Sequence, residues 1–314
     1  MNKKILFVFF LLLLVSVSLF SNGFSLFEKS NFNLSIWFWI ITLFIYCFIL
    51  GILSVLAGVG GGVLFVPFVS ALFPFHMDFV RGASLFATLA GTISSTPEVM
   101  KKGLAPLRLV FPIAIMVSIS AIIGAKIGLM LPDKIIRILL GIIIFMICII
   151  MILTKKIDNS SNIIGGDYIS NLLSLKGIFY DDSLNKHIEW KASRTLITIS
   201  IFIVIGFIAG MFGLGAGWAN VPVLNLIMGL PLKVSVGSSL FIISIGNTSP
   251  ALVYLSSGSI LPIITIPAVM GMYLGSRIGI KFLKKTKPVF IKHLVILLLF
   301  LSSLLSILKG FGIV

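Results

Sequence analysis

The chain has 314 residues, 59% of them hydrophobic and only 11% charged, with a mean hydropathy of +1.21. A soluble domain is about half apolar and about a quarter charged, so this chain has too little polar side chain to coat a water-facing surface. The net charge of +15 does not point to nucleic acid, because the Lys and Arg residues sit mostly in loops between apolar spans, where they set orientation and meet lipid headgroups.

In chain order, Lys3 and Lys4 precede an apolar run over 5–15, which fits either a signal peptide or a short first helix. Residues 21–34 are polar and read as lying outside the membrane, so 1–34 forms a leader-like unit. Apolar segments follow at 35–57, 63–75, 83–99, 107–131 and 135–153. The one long hydrophilic stretch, 154–194, reads as a cytoplasmic linker. A second set of segments comes after it, at 195–212, 218–230, 237–254, 259–282 and 288–313. Windows of about twenty apolar residues match the hydrocarbon thickness of a bilayer.

The two sets are copies. Gly58-Val59-Gly60-Gly61-Gly62 with Val66-Pro67 recurs as Gly213-Leu214-Gly215-Ala216-Gly217 with Val221-Pro222, 155 residues later. The spacing holds at Gly82/Gly237, Ser84/Ser239, Gly91/Gly246, Gly103/Gly258 and Pro112/Pro267. After one shift of four residues, Gly124-Ala125-Lys126-Ile127-Gly128 matches Gly275-Ser276-Arg277-Ile278-Gly279. The expected organisation is therefore two transmembrane repeats, 35–153 and 195–314. In each, an opening pair of segments either crosses twice or dips in and returns, and three crossings follow. That count inverts the second repeat. Inversion also puts Lys101, Lys102, Arg108, Lys284, Lys285 and Lys287 on the linker side, with Arg81, Lys134 and Arg137 opposite, which fits the positive-inside rule better than parallel repeats do.

Consecutive glycines favour unwound backbone, and unwound backbone at membrane depth survives only where protein buries it or it lines a cavity. Pro67 and Pro222 each remove a backbone donor just past the breaks. The breaks leave helix N-termini near Val63 and Trp218, with further N-termini expected at Gly82-Ala83-Ser84 and Gly237-Ser238-Ser239; such termini favour anions. Asn220 and Asn247 lie in the second interrupted region, opposite Phe65 and Thr92 in the first, so a site here is asymmetric. The candidate substrate ligands are thus Gly60, Gly61, Gly62, Ser84, Gly215, Gly217, Asn220, Ser239 and Asn247. Close packing of small residues and helix-bridging amides are the structural alternatives.

All nine carboxylates precede residue 190, and the second repeat has none. A buried carboxylate for a cation or proton relay is thus missing from the pattern, which favours an anionic or neutral substrate. Lys126 and Arg277 are matched cations within apolar spans that either attract an anion or snorkel to the interface. His76 and Glu98 are the proton-coupling candidates. No Cys/His cluster has metal-ligand spacing, Cys47 and Cys148 read as packing residues, and no nucleotide-binding loop of the GxxxxGK[ST] type is present. Neither a metal, a cofactor nor a catalytic set is expected, and the chain does not read as an enzyme.

Across 40–153 and 195–312, the segments Ala57–Pro67, Gly82–Phe86 and Gly124–Gly128, with their second-repeat counterparts, resemble the sulfite exporter TauE/SafE family of membrane transporters. The resemblance implies a multi-pass permease of the cytoplasmic (inner) membrane for a small anion, such as sulfite or an organosulfonate. The chain departs from the pattern at Ala216, in its long linker and in its N-terminal extension. The expected protein is an all-α secondary permease with broken helices at the glycine motifs, a small-anion substrate and the lipid bilayer as its partners, and no nucleic acid. A transporter of a neutral molecule, a membrane-embedded scaffold or assembly protein and a membrane enzyme are the alternatives.

Overall fold

The computed structural model describes residues 32–72, 75–153, 167–181 and 186–282, with further helical positions between Ile296 and Gly310. Residues 1–20, Lys284, Lys285, Lys287 and His293 lie outside the described residues. The first half contains α1 (Phe32–Ala57), α2 (Gly62–Leu72), α3 (Met77–Lys101), α4 (Leu107–Met130) and α5 (Asp133–Leu153). Next come α6 (Tyr168–Leu172) and an antiparallel pair, β1 (Lys176–Asp181) and β2 (Lys186–Lys191). The second half contains α7 (Thr195–Phe212), α8 (Gly217–Pro222) running into a wide π turn (Val223–Ile227), α9 (Leu232–Gly246), α10 (Thr248–Ser256) and α11 (Pro262–Phe282).

Five stretches of the described residues are long and apolar enough to span a membrane: Trp39–Leu56, Leu107–Met130, Thr195–Phe212, Leu232–Ser256 and Pro262–Lys281. The chain is an all-α, multi-pass membrane protein. Helix α4 shows why these surfaces suit lipid. Its exposed face carries Phe111, Ile115, Ile119, Ile123 and Ile127, one turn apart, while Ala114, Ala121, Gly124 and Gly128 face inward. Small residues inside and large apolar ones outside is the arrangement that lets membrane helices approach each other closely.

The opening pair of each half is a hairpin that enters and returns. Helix α2 has 11 residues, about 16 Å of rise against a hydrocarbon core of about 30 Å. Near its far end the Ser70 carbonyl accepts a bond from Arg137 Nη1 at 3.2 Å, at the start of α5. In the second half, the Ser193 N–H and hydroxyl donate to Met228 O at 3.0 and 3.2 Å, which brings the end of the π turn back to the start of α7. The two hairpin tips meet. A Cβ on Gly62 would collide with the Leu214 carbonyl, and one on Gly217 with the Val59 carbonyl.

Glycine contacts also fix the helix directions. Gly271, Gly275 and Gly279 of α11 meet Phe44, Phe48 and Ile52 of α1 in rising order, so these helices run parallel. Gly124 and Gly128 of α4 meet Phe207 and Met211 of α7, again in rising order. Helix α3 is parallel to α11, with Gly82 beside Ser259 and Gly91 beside Met272. Five residues join α3 to α4, and so short a link makes neighbouring helices antiparallel. It follows that α1 and α7, the matched first helices, run in opposite directions. The matched last helices agree: Cys148 lies by Ile296, Gly141 by Ser303 and Ile138 by Gly310, in falling order. The halves are inverted and exchange partners, α1 lying on α11 and α4 on α7. The same directions bring Lys101, Lys102, Arg108, Lys191, Arg194 and Lys281 to one end.

Two segment readings are corrected. Helix α3 begins at Met77, not 83, and α9 at Leu232, not 237. Gly82–Ser84 and Gly237–Ser239 are therefore helix interior, not N-termini. The His76 ring caps α3 earlier, accepting from the Asp78 N–H at 3.4 Å. Gly82 and Gly237 serve instead as close contacts against the carbonyls of Ser259 and Leu104. The expected segment 237–254 is also interrupted at Asn247, where Pro250 removes a bond from the next turn.

The linker is more than a connector. Asp167 caps two helices, accepting from the Ser170 N–H at 3.2 Å and from the Thr195 N–H at 2.8 Å, and so fastens the linker to the start of α7. The β1–β2 pair, with Trp190 buried opposite Gly177, is the departure from all-helical structure among the described residues.

Candidate functional site

Each hairpin tip is built by a glycine that ends one helix and a reversal that starts the next. Gly58 has φ 67, its N–H donates to Val55 O at 3.2 Å, and the Val59 N–H donates to Ser54 O at 3.0 Å. This is the paired bonding of a left-handed helix terminus. Gly213 ends α7 in the same left-handed conformation, with φ 65. Gly60 and Gly61 continue at φ 80 and 73, whereas in the second copy only Gly215 does, at φ 72. Ala216, standing where the first copy has Gly61, has φ −76, which any residue can adopt. The backbone thus explains why one glycine of the first motif is an alanine in the second.

Helix α3 runs past both tips. Gly213 packs on the backbone and Cβ of Arg81, Ser84 Oγ lies beside Gly62, and Thr88 touches both Gly60 and Gly215. Arg81, Ser84 and Thr88 are spaced i, i+3 and i+7, so they form one stripe on one face. Across from them, α9 presents Val236 to Gly58 and Ile243 to Gly60 and Gly217, and Asn247 Nδ2 lies beside Gly215. The Ser239 hydroxyl donates to the Gly58 carbonyl at 2.7 Å. The tips are therefore wrapped by α3 on one side and α9 on the other.

The polar groups here are buried and largely unpartnered. Ser84 Oγ, Thr88 Oγ1, Trp218 Nε1, both amide atoms of Asn220 and Asn247 Nδ2 are enclosed with no hydrogen-bond partner among the described residues. Leaving such a group unpaired costs about 1–3 kcal/mol, so these positions suit a polar occupant, ordered water or a ligand. Every one of these side chains can donate a hydrogen bond. No Asp or Glu is buried among the described residues.

The expected ligands therefore divide. Gly60, Gly61, Gly62, Gly215 and Gly217 form the tips, and Ser84, Asn220, Ser239 and Asn247 lie on the elements around them. Lys126 and Arg277 are not brought to the tips. Both are exposed on the outer sides of α4 and α11, and Arg277 Nη1 donates to Tyr273 Oη on its own helix, 3.5 Å away. Glu98 pairs with Lys102 at 2.6 Å at the far end of α3. His76 lies at the other end, its Nδ1 3.3 Å from Asp78 Oδ2 and its Nε2 3.4 Å from Asp133 Oδ1. Thr88, Trp218 and Arg81 were not among the expected ligands. The i, i+3, i+7 stripe on α3 could have exposed Arg81 and Thr88, but a segment taken to start at 83 leaves Arg81 in a loop.

A family model described as sulfite exporter TauE/SafE matches residues 43–305. The chain belongs to the sulfite exporter TauE/SafE family. Among curated proteins, it is 26% identical over 264 residues to the probable membrane transporter protein YunE of Bacillus subtilis, covering 80% of this chain and 92% of that one. It is 27% identical over 285 residues to a probable membrane transporter of Methanocaldococcus jannaschii, covering 86% of this chain and 93% of the other. No solved structure matches the chain. This TauE/SafE chain is thus a membrane transporter and not an enzyme, and its paired glycine motifs are the two hairpin tips.

Proposed function

We propose that this chain is a secondary permease of the cytoplasmic membrane for a small anion, a sulfur oxyanion or organosulfonate such as sulfite, bound where the two tips meet. The observation that carries this reading is the set of buried, unpartnered donors around the tips, in a region without a buried carboxylate. An anion accepts hydrogen bonds in several directions and gains most from donors already fixed in a dry site. Backbone around Gly60–Gly62 and Gly215–Gly217, the hydroxyls of Ser84 and Ser239, and the amides of Asn220 and Asn247 are the proposed ligands, and Thr88 and Trp218 join them. Ser239 would exchange its bond to Gly58 O for one to the substrate.

In the arrangement described, the donors are sealed by both hairpins, so passage requires one half to rock against the other, as in transporters built from inverted repeats. The cationic end of the helices is assigned to the cytoplasm. The test is thermal stability of the purified protein against sulfite, sulfate, thiosulfate, taurine, sulfoacetate and simple carboxylates. A saturable rise with one sulfur anion is the expected result, since a ligand that binds only the folded state stabilises it by mass action. No rise with any member, in a well-folded sample, would overturn the anion reading and favour a neutral substrate or a scaffold.

A further inference from the structure

We infer that Arg81 supplies the positive charge that selects the transported anion, and that Asp78 is the resident counter-ion the anion displaces. This rests on the anion reading above and adds to it a specificity-determining residue and the event that admits the substrate.

Arg81 is fully buried, and it is the one Lys, Arg, Asp or Glu to be so among the described residues. A charge taken wholly out of water is costly unless it is paired, so a fully buried arginine calls for a reason. The alternative is that Arg81 is an internal brace for the second tip. The inverted repeat tests this within the molecule. Gly213 packs on Arg81 as Gly58 packs on Val236, and these two residues occupy matched positions. The first tip closes against a valine, so the tip geometry does not need a guanidinium. The charge is an addition to one repeat, and it lies on the same stripe as the unpartnered hydroxyls of Ser84 and Thr88.

The environment of Arg81 holds a cation without exhausting it. Nη1 donates to Met211 O at 2.8 Å, at the carbonyl end of α7, where the helix dipole favours positive charge. The guanidinium lies 5.5 Å from the centre of the Tyr254 ring, and Tyr254 Oη donates to the same Met211 carbonyl at 3.2 Å. Nη2 pairs with Asp78, and Nε has no partner. Asp78 itself is not sealed. Its side chain is 21% exposed, and His76 Nδ1 stands 3.3 Å from its other oxygen. An anion arriving from that end meets a carboxylate that can let go of the arginine and turn toward water. The free Nε and the released Nη2 then face the newcomer in the two-pronged geometry in which a guanidinium binds oxyanions. A neutral solute gives Asp78 no reason to leave, so the exchange selects for charge.

The experiment uses the full chain in detergent, with sodium sulfite as probe and thermal stability as readout. The variants are Asp78→Asn and the double variant Arg81→Met with Asp78→Asn. Removing both partners of a buried pair together is far milder than removing one, so the double variant is the one expected to stay folded without the charge. The wild type should show a saturable rise. The double variant should lose it, and Asp78→Asn, freed of the competing carboxylate, should bind at least about threefold more tightly, about 0.65 kcal/mol. A double variant that binds sulfite as the wild type does makes Arg81 a brace and overturns the inference while leaving the anion reading intact. If the double variant does not fold, Asp78→Asn, whose part-exposed amide oxygen still accepts from the guanidinium, decides alone, and unchanged or weaker binding overturns it. Failure of the wild type to respond overturns both proposals.

Discussion

Ser84 and Ser239 occupy matched positions 155 residues apart and do different things. The Ser239 hydroxyl has a buried acceptor at 2.7 Å, whereas the Ser84 hydroxyl is buried with none. Ser239→Ala should therefore destabilise the protein by about 1 kcal/mol, and Ser84→Ala should leave stability unchanged or raised, because it deletes an unsatisfied group. Ser84→Ala should nevertheless diminish the stabilisation given by sulfite. Melting curves of both variants with and without sulfite check this, and an equal loss of stability in the two would give Ser84 a structural partner. Gly61 and Ala216 form a second matched pair. Gly61→Ala forces a side chain into φ 73 and should cost about 1–2 kcal/mol. Ala216→Gly, at an ordinary φ, should cost less than about 1 kcal/mol. Chemical or thermal denaturation of the two variants gives the order.

At the scale of elements, the glycines between helices matter more than any single polar contact. Gly124 sits on the Phe207 carbonyl and Gly275 on the Phe48 carbonyl, so α4 meets α7, and α11 meets α1, backbone to backbone. No side chain can enter either seam unless the helices separate. Gly124→Val and Gly275→Val should each destabilise by roughly 1–3 kcal/mol or more and broaden the elution of the purified protein, measured by melting and size-exclusion profiles. Normal melting of both variants would mean that the seams are not close-packed. The hairpins follow a different logic. Helices of 11 residues, or of six followed by a π turn, are too short to cross; they are held in place by being packed against α3 and α9 on either side.

At the scale of the whole molecule, inversion makes a prediction about sides. Gly103 and Gly258 are matched loop residues with open space around them, yet opposite helix directions put them at opposite ends. Single cysteines at these positions should react with a membrane-impermeant maleimide from opposite faces of oriented vesicles. The native Cys47 and Cys148 are buried and should contribute little background. Labelling of both positions from the same face would make the repeats parallel and remove the geometric basis for rocking. The tips are reached from opposite ends by hairpins that belong to different halves, so a relative tilt of the halves opens one approach as it closes the other.

How much was legible in the sequence follows from how each signal is encoded. Membrane embedding, the duplication, the breaks at the two glycine motifs and the family were all readable, whereas the interruption at Asn247 and the true starts of α3 and α9 were not. Hydropathy is a sum over neighbours in the chain, and the repeat is a spacing along it; Gly60, Gly61 and Gly215 announce unusual backbone wherever they occur. Inversion was legible too, because loop charges record sidedness. Burial of charge was not. Arg81 reads as a loop cation and Lys126 and Arg277 as intramembrane ones, but the fold buries the first completely and turns the other two outward. Which face of a helix looks inward depends on partners far away in the chain, here α7 and α10 against α3. The different fates of Ser84 and Ser239 were equally hidden, since a hydroxyl's partner is chosen by packing. Sequence alone determined that this chain is a duplicated, broken-helix membrane protein, because those properties are local or periodic. Tertiary structure alone decided which polar groups meet at the tips and which lack a partner, because that is settled only when helices from opposite halves close on one another.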